Sequence, residues 1–159
     1  MIFSETKLKG PFIIDIDKRE DERGFFARTF CANEFSQYGL HTVFPQTNMS
    51  LSKYKNTIRG LHYQIDGAEE AKLIRCTKGI ILDVIIDIRK KSPTYCQYIA
   101  VELSALNSRL LYVPEGFAHG FCTLTDDVEV NYQVSQFYSP GKERGIRWND
   151  PIFAIKWPV

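Results

Sequence analysis

Short runs in which apolar and polar residues alternate, each closed by turn residues, fill most of this 159-residue sequence. A period of two marks half-buried strands, because successive side chains of an extended chain point to opposite faces. The pattern predicts strands over Phe12–Ile16, Phe25–Phe30, Val43–Asn48, Ile58–Ile65 and Lys72–Cys76. It continues over Ile80–Ile88, Gln97–Leu103, Leu110–Val113, His119–Leu124 and Val128–Val134. β-Branched and aromatic residues dominate these runs. Lys78-Gly79, Lys91-Ser92-Pro93, Pro114-Glu115-Gly116 and Ser139-Pro140-Gly141 supply turns. One helix fits Ala32–Tyr38, ahead of Gly39. No linker, low-complexity stretch or internal repeat interrupts this order, so residues 1–159 are expected to form a single all-β domain. Many short strands at this spacing build a sandwich or a barrel. The interior of a barrel can hold one small ligand between rigid walls.

Composition narrows the partners. The chain is 44% apolar, which supports a packed core and excludes a disordered chain. A formal net charge of +1 lacks the basic excess of a polynucleotide binder, so no nucleic-acid partner is expected. A few arginines can still converge on a small anion. Cys31, Cys76, Cys96 and Cys122 are too far apart in sequence for a zinc knuckle or a thioredoxin-type pair, and read as reduced, half-buried strand residues. The N-terminus has no signal pattern. The longest apolar run, Ile80–Ile88, is broken by Asp83 and Asp87 and is too short to span a membrane. A cytoplasmic protein without membrane contact is expected.

Several side chains carry candidate chemistry. His62, in Arg59-Gly60-Leu61-His62-Tyr63-Gln64, can trade protons at neutral pH or serve as a structural histidine bonded to backbone. Strict alternation sends Arg59 to the opposite face. A bulge at Gly60 would let both serve one cavity. His119 follows a Pro-Gly turn and either touches ligand at a barrel rim or bonds a turn carbonyl. Position 64 is Gln, so a His-x-His metal pair is absent, and no metal is expected. Arg23 and Arg59 each precede a glycine, an arrangement suited either to two-pronged phosphate contact or to a solvated charge. Lys72 shares a face with Ile74 and Cys76, at the rim or inside near an anion. Asp83 and Asp87 on the next strand are its candidate partners, with Asp83 the supporting one. Tyr132 and Tyr138 fall on one side of an extended chain, where a phenol can donate a proton and a ring can stack. No nucleophile elbow, phosphate loop or dinucleotide fingerprint is present.

Taken together and in order, these pieces resemble the dTDP-4-dehydrorhamnose 3,5-epimerases. The matching blocks are Asp21-Glu22-Arg23-Gly24-Phe25-Phe26, Arg59-Gly60-Leu61-His62-Tyr63-Gln64 and Lys72-Leu73-Ile74-Arg75-Cys76. They continue in Pro114-Glu115-Gly116-Phe117-Ala118-His119-Gly120-Phe121 and Gly145-Ile146-Arg147-Trp148-Asn149-Asp150-Pro151, closing on Trp157-Pro158. The resemblance implies a cupin jelly roll, a double-stranded β-helix with short peripheral helices. It implies a homodimer acting without cofactor on a nucleoside-diphosphate 4-keto-6-deoxy sugar, typically dTDP-4-keto-6-deoxyglucose. It assigns His62 as general base, Tyr132 as general acid and Lys72 to the enolate oxygen. It assigns Arg23 and Arg59 to the diphosphate, Gln46 and Asn48 to the nucleotide, His119 to a further substrate contact and Tyr138 to base stacking.

Two departures from the family pattern accompany the match. Family members carry, beyond the Trp-Pro pair, an aspartate that orients the base histidine, whereas this sequence runs to Val159 without one in that place. Position 28 is Arg where the family commonly has Glu near the nucleotide, which points either to a different base, such as guanine or cytosine, or to a loosened pocket. The alternatives that stay open are a single-centre 3- or 5-epimerase on a GDP- or CDP-linked sugar, a ketoisomerase and a non-catalytic sugar-nucleotide binding protein.

Overall fold

A computed structural model describes Met1–Val159. In chain order the elements are β1 (Ile2–Glu5), β2 (Phe12–Asp15), β3 (Arg19–Asp21), β4 (Gly24–Phe26), α1 (Ala32–Gln37), β5 (Gln46–Ser52) and β6 (Ile58–Gln64). They continue with β7 (Lys72–Lys78), β8 (Ile80–Asp87), β9 (Tyr98–Ser104), β10 (Leu110–Val113), β11 (Phe117–Thr123), β12 (Val128–Val134) and β13 (Glu143–Gly145). One sheet has the order β1-β2-β10-β7-β12-β5, the other β13-β6-β11-β8-β9. Their pairings are antiparallel throughout. Strands distant in sequence lie side by side in two facing sheets, the jelly-roll arrangement that was expected.

Each sheet is apolar on both faces, because each is covered twice. Between the sheets lies a cluster built from Ile74 and Cys76 of β7, Ile81 and Ile85 of β8, Leu111 of β10, Phe117 of β11, and Val128 and Val130 of β12. On the outer face of the six-stranded sheet, Phe35 of α1 packs with Ile14, Leu73, Leu110 and Tyr112. Phe35 is wholly buried, and removing a side chain of that size from water stabilises the fold by roughly 2–3 kcal/mol. On the outer face of the five-stranded sheet, Leu61, Val84, Ile86 and Ala118 are covered by Tyr98 and by the C-terminal residues Ile146, Phe153, Ile155 and Trp157. Alternation on β8 therefore serves two cores: Ile81 and Ile85 face inward, Val84 and Ile86 outward.

Several boundaries differ from the sequence expectation. The run Phe25–Phe30 is a strand only through Phe26. Phe30 instead sets its ring against Phe35 and Phe44. The expected Val43–Asn48 strand starts after Pro45, at Gln46, and continues to Ser52, since proline has no N–H to donate to a ladder. The strands β1, β3 and β13 were not foreseen. A single six-residue helix replaces the expected set of peripheral helices. Of the cysteines, only Cys76 and Cys122 are strand residues, and both are buried rather than half-buried. Cys31 caps α1 and Cys96 lies in a loop.

Candidate active site

The apolar filling between the sheets does not reach their full extent. On β12 the inward face runs Val128, Val130, then Tyr132 and Val134. On the neighbouring β7 it runs Cys76, Ile74, then Lys72. At the Tyr132–Lys72 end the sheets enclose a cavity of about 280 Å³. Gln46 and Asn48 of β5 and Tyr132 of β12 wall it from the six-stranded sheet, and Arg59 and His62 of β6 and His119 of β11 from the five-stranded sheet. The sequence candidates His62, Tyr132, Lys72, Arg59, Gln46, Asn48, His119 and Tyr138 thus meet around one space.

His62 and Arg59 share that space because the β6–β11 ladder slips. His119 is opposite His62, whereas Phe121 is opposite Arg59, with an irregularity between them. The slip occurs where Gly60 crosses Gly120. A Cβ on Gly60 would stand 2.6 Å from the Gly120 Cα and 2.7 Å from the His119 carbonyl oxygen, and Gly60 has φ of +107°. A Cβ on Gly120 would stand 2.6 Å from the Arg59 carbonyl oxygen. Only glycine fits on either side of so close an approach. The bulge read from Gly60 is present, and it brings into one cavity two side chains that strict alternation would separate.

The imidazole of His62 is about half exposed, and its Nδ1 lies 3.2 Å from Glu143 Oε1. Glu143 belongs to β13, which pairs with β6 and sets Gly145 opposite His62. Its other oxygen accepts from the Tyr138 hydroxyl at 3.4 Å. The Tyr138 backbone N–H donates to Gln46 Oε1 at 2.7 Å, which fixes the segment after β12 over the cavity. Arg59 donates through Nε to Ser52 Oγ at 2.8 Å and through Nη2 to the Leu51 carbonyl at 3.1 Å, so β5 holds its guanidinium from across the gap between the sheets.

His119 is buried, with Nε2 3.1 Å from Asp83 Oδ2 in hydrogen-bonding alignment and 2.9 Å from Oδ1 without it. Asp83 is fully buried and has no other partner. A buried carboxylate requires a donor, so the Nε2 proton of His119 is committed to Asp83. Tyr132 is partly buried, and its phenol is pushed above its ordinary pKa, chiefly by burial and then by the negative charges of Glu70 and Glu143, against the opposing charge of Arg59. A raised phenol pKa keeps the proton on the oxygen through the neutral range.

Four expectations need correction. Asp83 does not support Lys72: β7 and β8 lie in different sheets, and Asp83 is taken by His119. Asp87 is not its partner either, being enclosed by Arg89, Ser92 and Thr94. The carboxylate beside Lys72 is Glu70, 3.3 Å away. Arg23 does not line the cavity. It sits on the β3–β4 hairpin, its side chain 84% exposed and its guanidinium 2.6 Å from Asp21. Arg28 likewise borders a separate small cavity beside Met1, Asp17 and Glu34. Sequence reasoning missed Glu70 and Glu143, which line the cavity and meet Lys72 and His62. Glu70 had a signal, since a charge two residues before a buried lysine on extended chain shares its side. Glu143 had none, because its strand carries no apolar pattern.

The profile of the dTDP-4-dehydrorhamnose 3,5-epimerase family matches residues 5–159. A dTDP-4-dehydrorhamnose 3,5-epimerase of Shigella flexneri is 49% identical over 156 residues, 98% of this chain and 86% of that protein. The crystal structure of the Bacillus anthracis enzyme of the same name, with TDP and PPi bound, superposes with a TM-score of 0.96 at 42% identity, covering 99% of this chain and 90% of that one. The Legionella pneumophila dTDP-6-deoxy-D-glucose-3,5-epimerase, in complex with dTDP-4-keto-L-rhamnose, superposes with a TM-score of 0.94 at 38% identity, covering 99% of this chain and 84% of that one.

Proposed function

This chain is an isomerase that belongs to the dTDP-4-dehydrorhamnose 3,5-epimerase family, and we propose that it inverts carbons 3 and 5 of a nucleoside-diphosphate 4-keto-6-deoxy sugar. The observation that carries the reading is the placement of a histidine and a tyrosine on opposite walls of one cavity, His62 from the five-stranded sheet and Tyr132 from the six-stranded one. Carbons beside the C4 ketone carry weakly acidic protons. His62 removes one from one face, leaving an enolate whose oxygen the Lys72 ammonium meets. Tyr132 returns a proton to the opposite face, and the centre inverts. Solvent then takes the proton from His62 and restores that of Tyr132, so the sum of each cycle is one proton exchanged with water. Every step is a proton transfer, so the reaction as drawn calls for no redox group.

The Glu143 carboxylate on the Nδ1 side of His62 supports Nε2 as the basic nitrogen. Arg59 and His119 are suited to the diphosphate and the sugar, Gln46 and Asn48 to the nucleotide, and Tyr138 to stacking on its base. Holding the diphosphate while the ring turns over presents C3 and C5 to the same pair of groups. Arg23 enters this reading from a second copy of the chain. Beside it Phe25 and Phe26 are 54% and 69% exposed, which supports a homodimer in which the β3–β4 hairpin of one copy closes the cavity of the other. Four free thiols support a reducing, cytoplasmic setting.

Solvent exchange tests the reading. The protein is mixed in deuterated water with dTDP-4-keto-6-deoxyglucose, and in parallel with GDP- and CDP-linked 4-keto sugars, and followed by proton NMR. Deuterium at both C3 and C5, lost in His62→Ala, is the expected result and identifies the nucleotide. Label at one carbon makes the protein a single-centre epimerase. No label with any sugar, despite binding, overturns the enzymatic reading.

A further inference from the structure

Of His62, Tyr132 and Lys72, Lys72 has the most flexible side chain. Its four-carbon stem carries many rotamers, and only a fixed ammonium meets an oxygen that becomes charged in mid-reaction. It makes one polar contact, with Glu70 Oε1 at 3.3 Å, and both side chains are nearly buried, at 11% and 13% exposure. The other oxygen of Glu70 accepts from Gln64 Nε2 at 3.0 Å. Gln64 cannot turn its amide over, because its Oε1 accepts from the Ser139 N–H at 3.0 Å while its Nε2 also donates to the Ala68 carbonyl at 2.9 Å. Glu70 therefore makes an ion-pair contact with the ammonium through one oxygen and accepts a hydrogen bond from the amide nitrogen through the other. A carboxylate answers both; a neutral amide lacks the charge that attracts the ammonium and sets its own donor against one of the two.

We propose that Glu70 is a positioning residue for proton transfer: clamped by Gln64, its carboxylate holds the Lys72 ammonium at one point of the cavity wall before substrate arrives. The clamp is built from backbone-fixed parts. Gln64 ends β6, Lys72 begins β7, and Ser139 follows the segment that carries Tyr138. The lysine is thus ordered in the free protein, and its rotamer freedom is not lost during the reaction. The inference rests on the proposed role of Lys72 at the enolate oxygen.

A double-mutant cycle tests it, run after the unmodified protein has shown deuterium exchange on a 4-keto sugar. Absence of that exchange removes the epimerase reading itself and is seen before any variant is made. Glu70→Gln is expected to lower kcat about 10-fold with KM within about 2-fold, the signature of an interaction realised only in the transition state. Lys72→Met is expected to cost more. Combining the two is expected to cost no more than Lys72→Met alone, because Glu70 acts through the ammonium. Glu70→Asp retains two acceptors and is expected to recover part of the lost kcat, and it serves as the single variant if Glu70→Gln fails to fold. Multiplicative losses in the double variant, a KM rise matching the kcat fall, or Glu70→Asp no better than Glu70→Gln would each overturn the assignment.

Discussion

The two ends of the β7–β12 pair are made by the same strands in one register and do opposite things. Where Val130 faces Cys76 the inward side chains are apolar and close-packed. Where Val134 faces Lys72 they turn polar and stand apart around a cavity. Strand β8 repeats the contrast with two buried aspartates on one face. Asp87 accepts from the Arg89 guanidinium, the Arg89 N–H, Ser92 and Thr94, whereas Asp83 has a single partner, the cavity residue His119. Burial alone would raise the Asp87 pKa, but those hydrogen bonds outweigh it and hold the carboxyl far below the usual range. A saturated carboxylate belongs to the scaffold; Asp83, itself buried behind the cavity wall, bears on the cavity only through His119. The packed end lends its rigidity to the open end, since a strand that cannot slide at Val130 cannot misplace Tyr132.

Substitutions at the open end should abolish turnover and spare the fold. His62→Ala is expected to cost about 10³–10⁴-fold in exchange, with an unchanged melting curve, since the ring is half exposed. Tyr132→Phe is expected to cost about 10²–10³-fold in inversion while deuterium exchange from the His62 side continues, a separation that NMR reads directly. In the unmodified protein the raised Tyr132 pKa puts the alkaline fall of inversion above the ordinary phenol value. A fall near neutrality would assign the acid elsewhere.

Substitutions at the packed end should do the reverse. Ile81 is wholly buried in the inner cluster, and Ile81→Ala is expected to lower unfolding free energy by about 2–5 kcal/mol. Its exchange rate, measured well below the melting temperature, should be close to that of the parent. Loss of both together would mean that the two ends are not separable.

Arg23→Ala probes the edge of the comparison, where a second copy is proposed to finish the cavity. A KM raised about 10-fold with kcat retained is expected, from loss of binding made equally to substrate and transition state. An unchanged KM would detach the hairpin from the site. Smallest of all is a pH effect. The folded-state pKa of Asp87 is depressed, so its contribution to stability is complete above the unfolded value of 3.8 and is lost as pH falls toward the folded one. Asp87→Asn should melt lower than the parent at neutral pH, and the gap should close as denaturation is followed below pH 3.8.

Legibility followed packing. Leu110–Val113 and Val128–Val134 have the expected boundaries because both faces of those strands bear on something. The strands β3 and β13 are Arg-Glu-Asp and Glu-Arg-Gly, all exposed. They carry no apolar face and so leave no apolar period to read. The same division holds in the site. His62, Lys72 and Tyr132 sit on strands whose faces alternation sets, and Gly60 announced the bulge that adds Arg59. The true partner of His119 could not be read, because which sheet a strand joins is decided by contacts far apart in sequence, and Asp83 lies in the sheet opposite to Lys72.

The crossing of Gly60 and Gly120 bears on anyone who wishes to reshape this cavity for another sugar. A Cβ at either position meets main-chain atoms of the other strand, which no rotamer search can move aside. A combinatorial library that randomises positions 58–64 or 117–123 wholesale would spend most of its members on chains that cannot close the barrel. The tunable positions are those where side chains meet space rather than backbone, Asn48 and Ser50 on the edge strand β5. There a change of size or hydrogen-bonding pattern alters the wall without touching the seam.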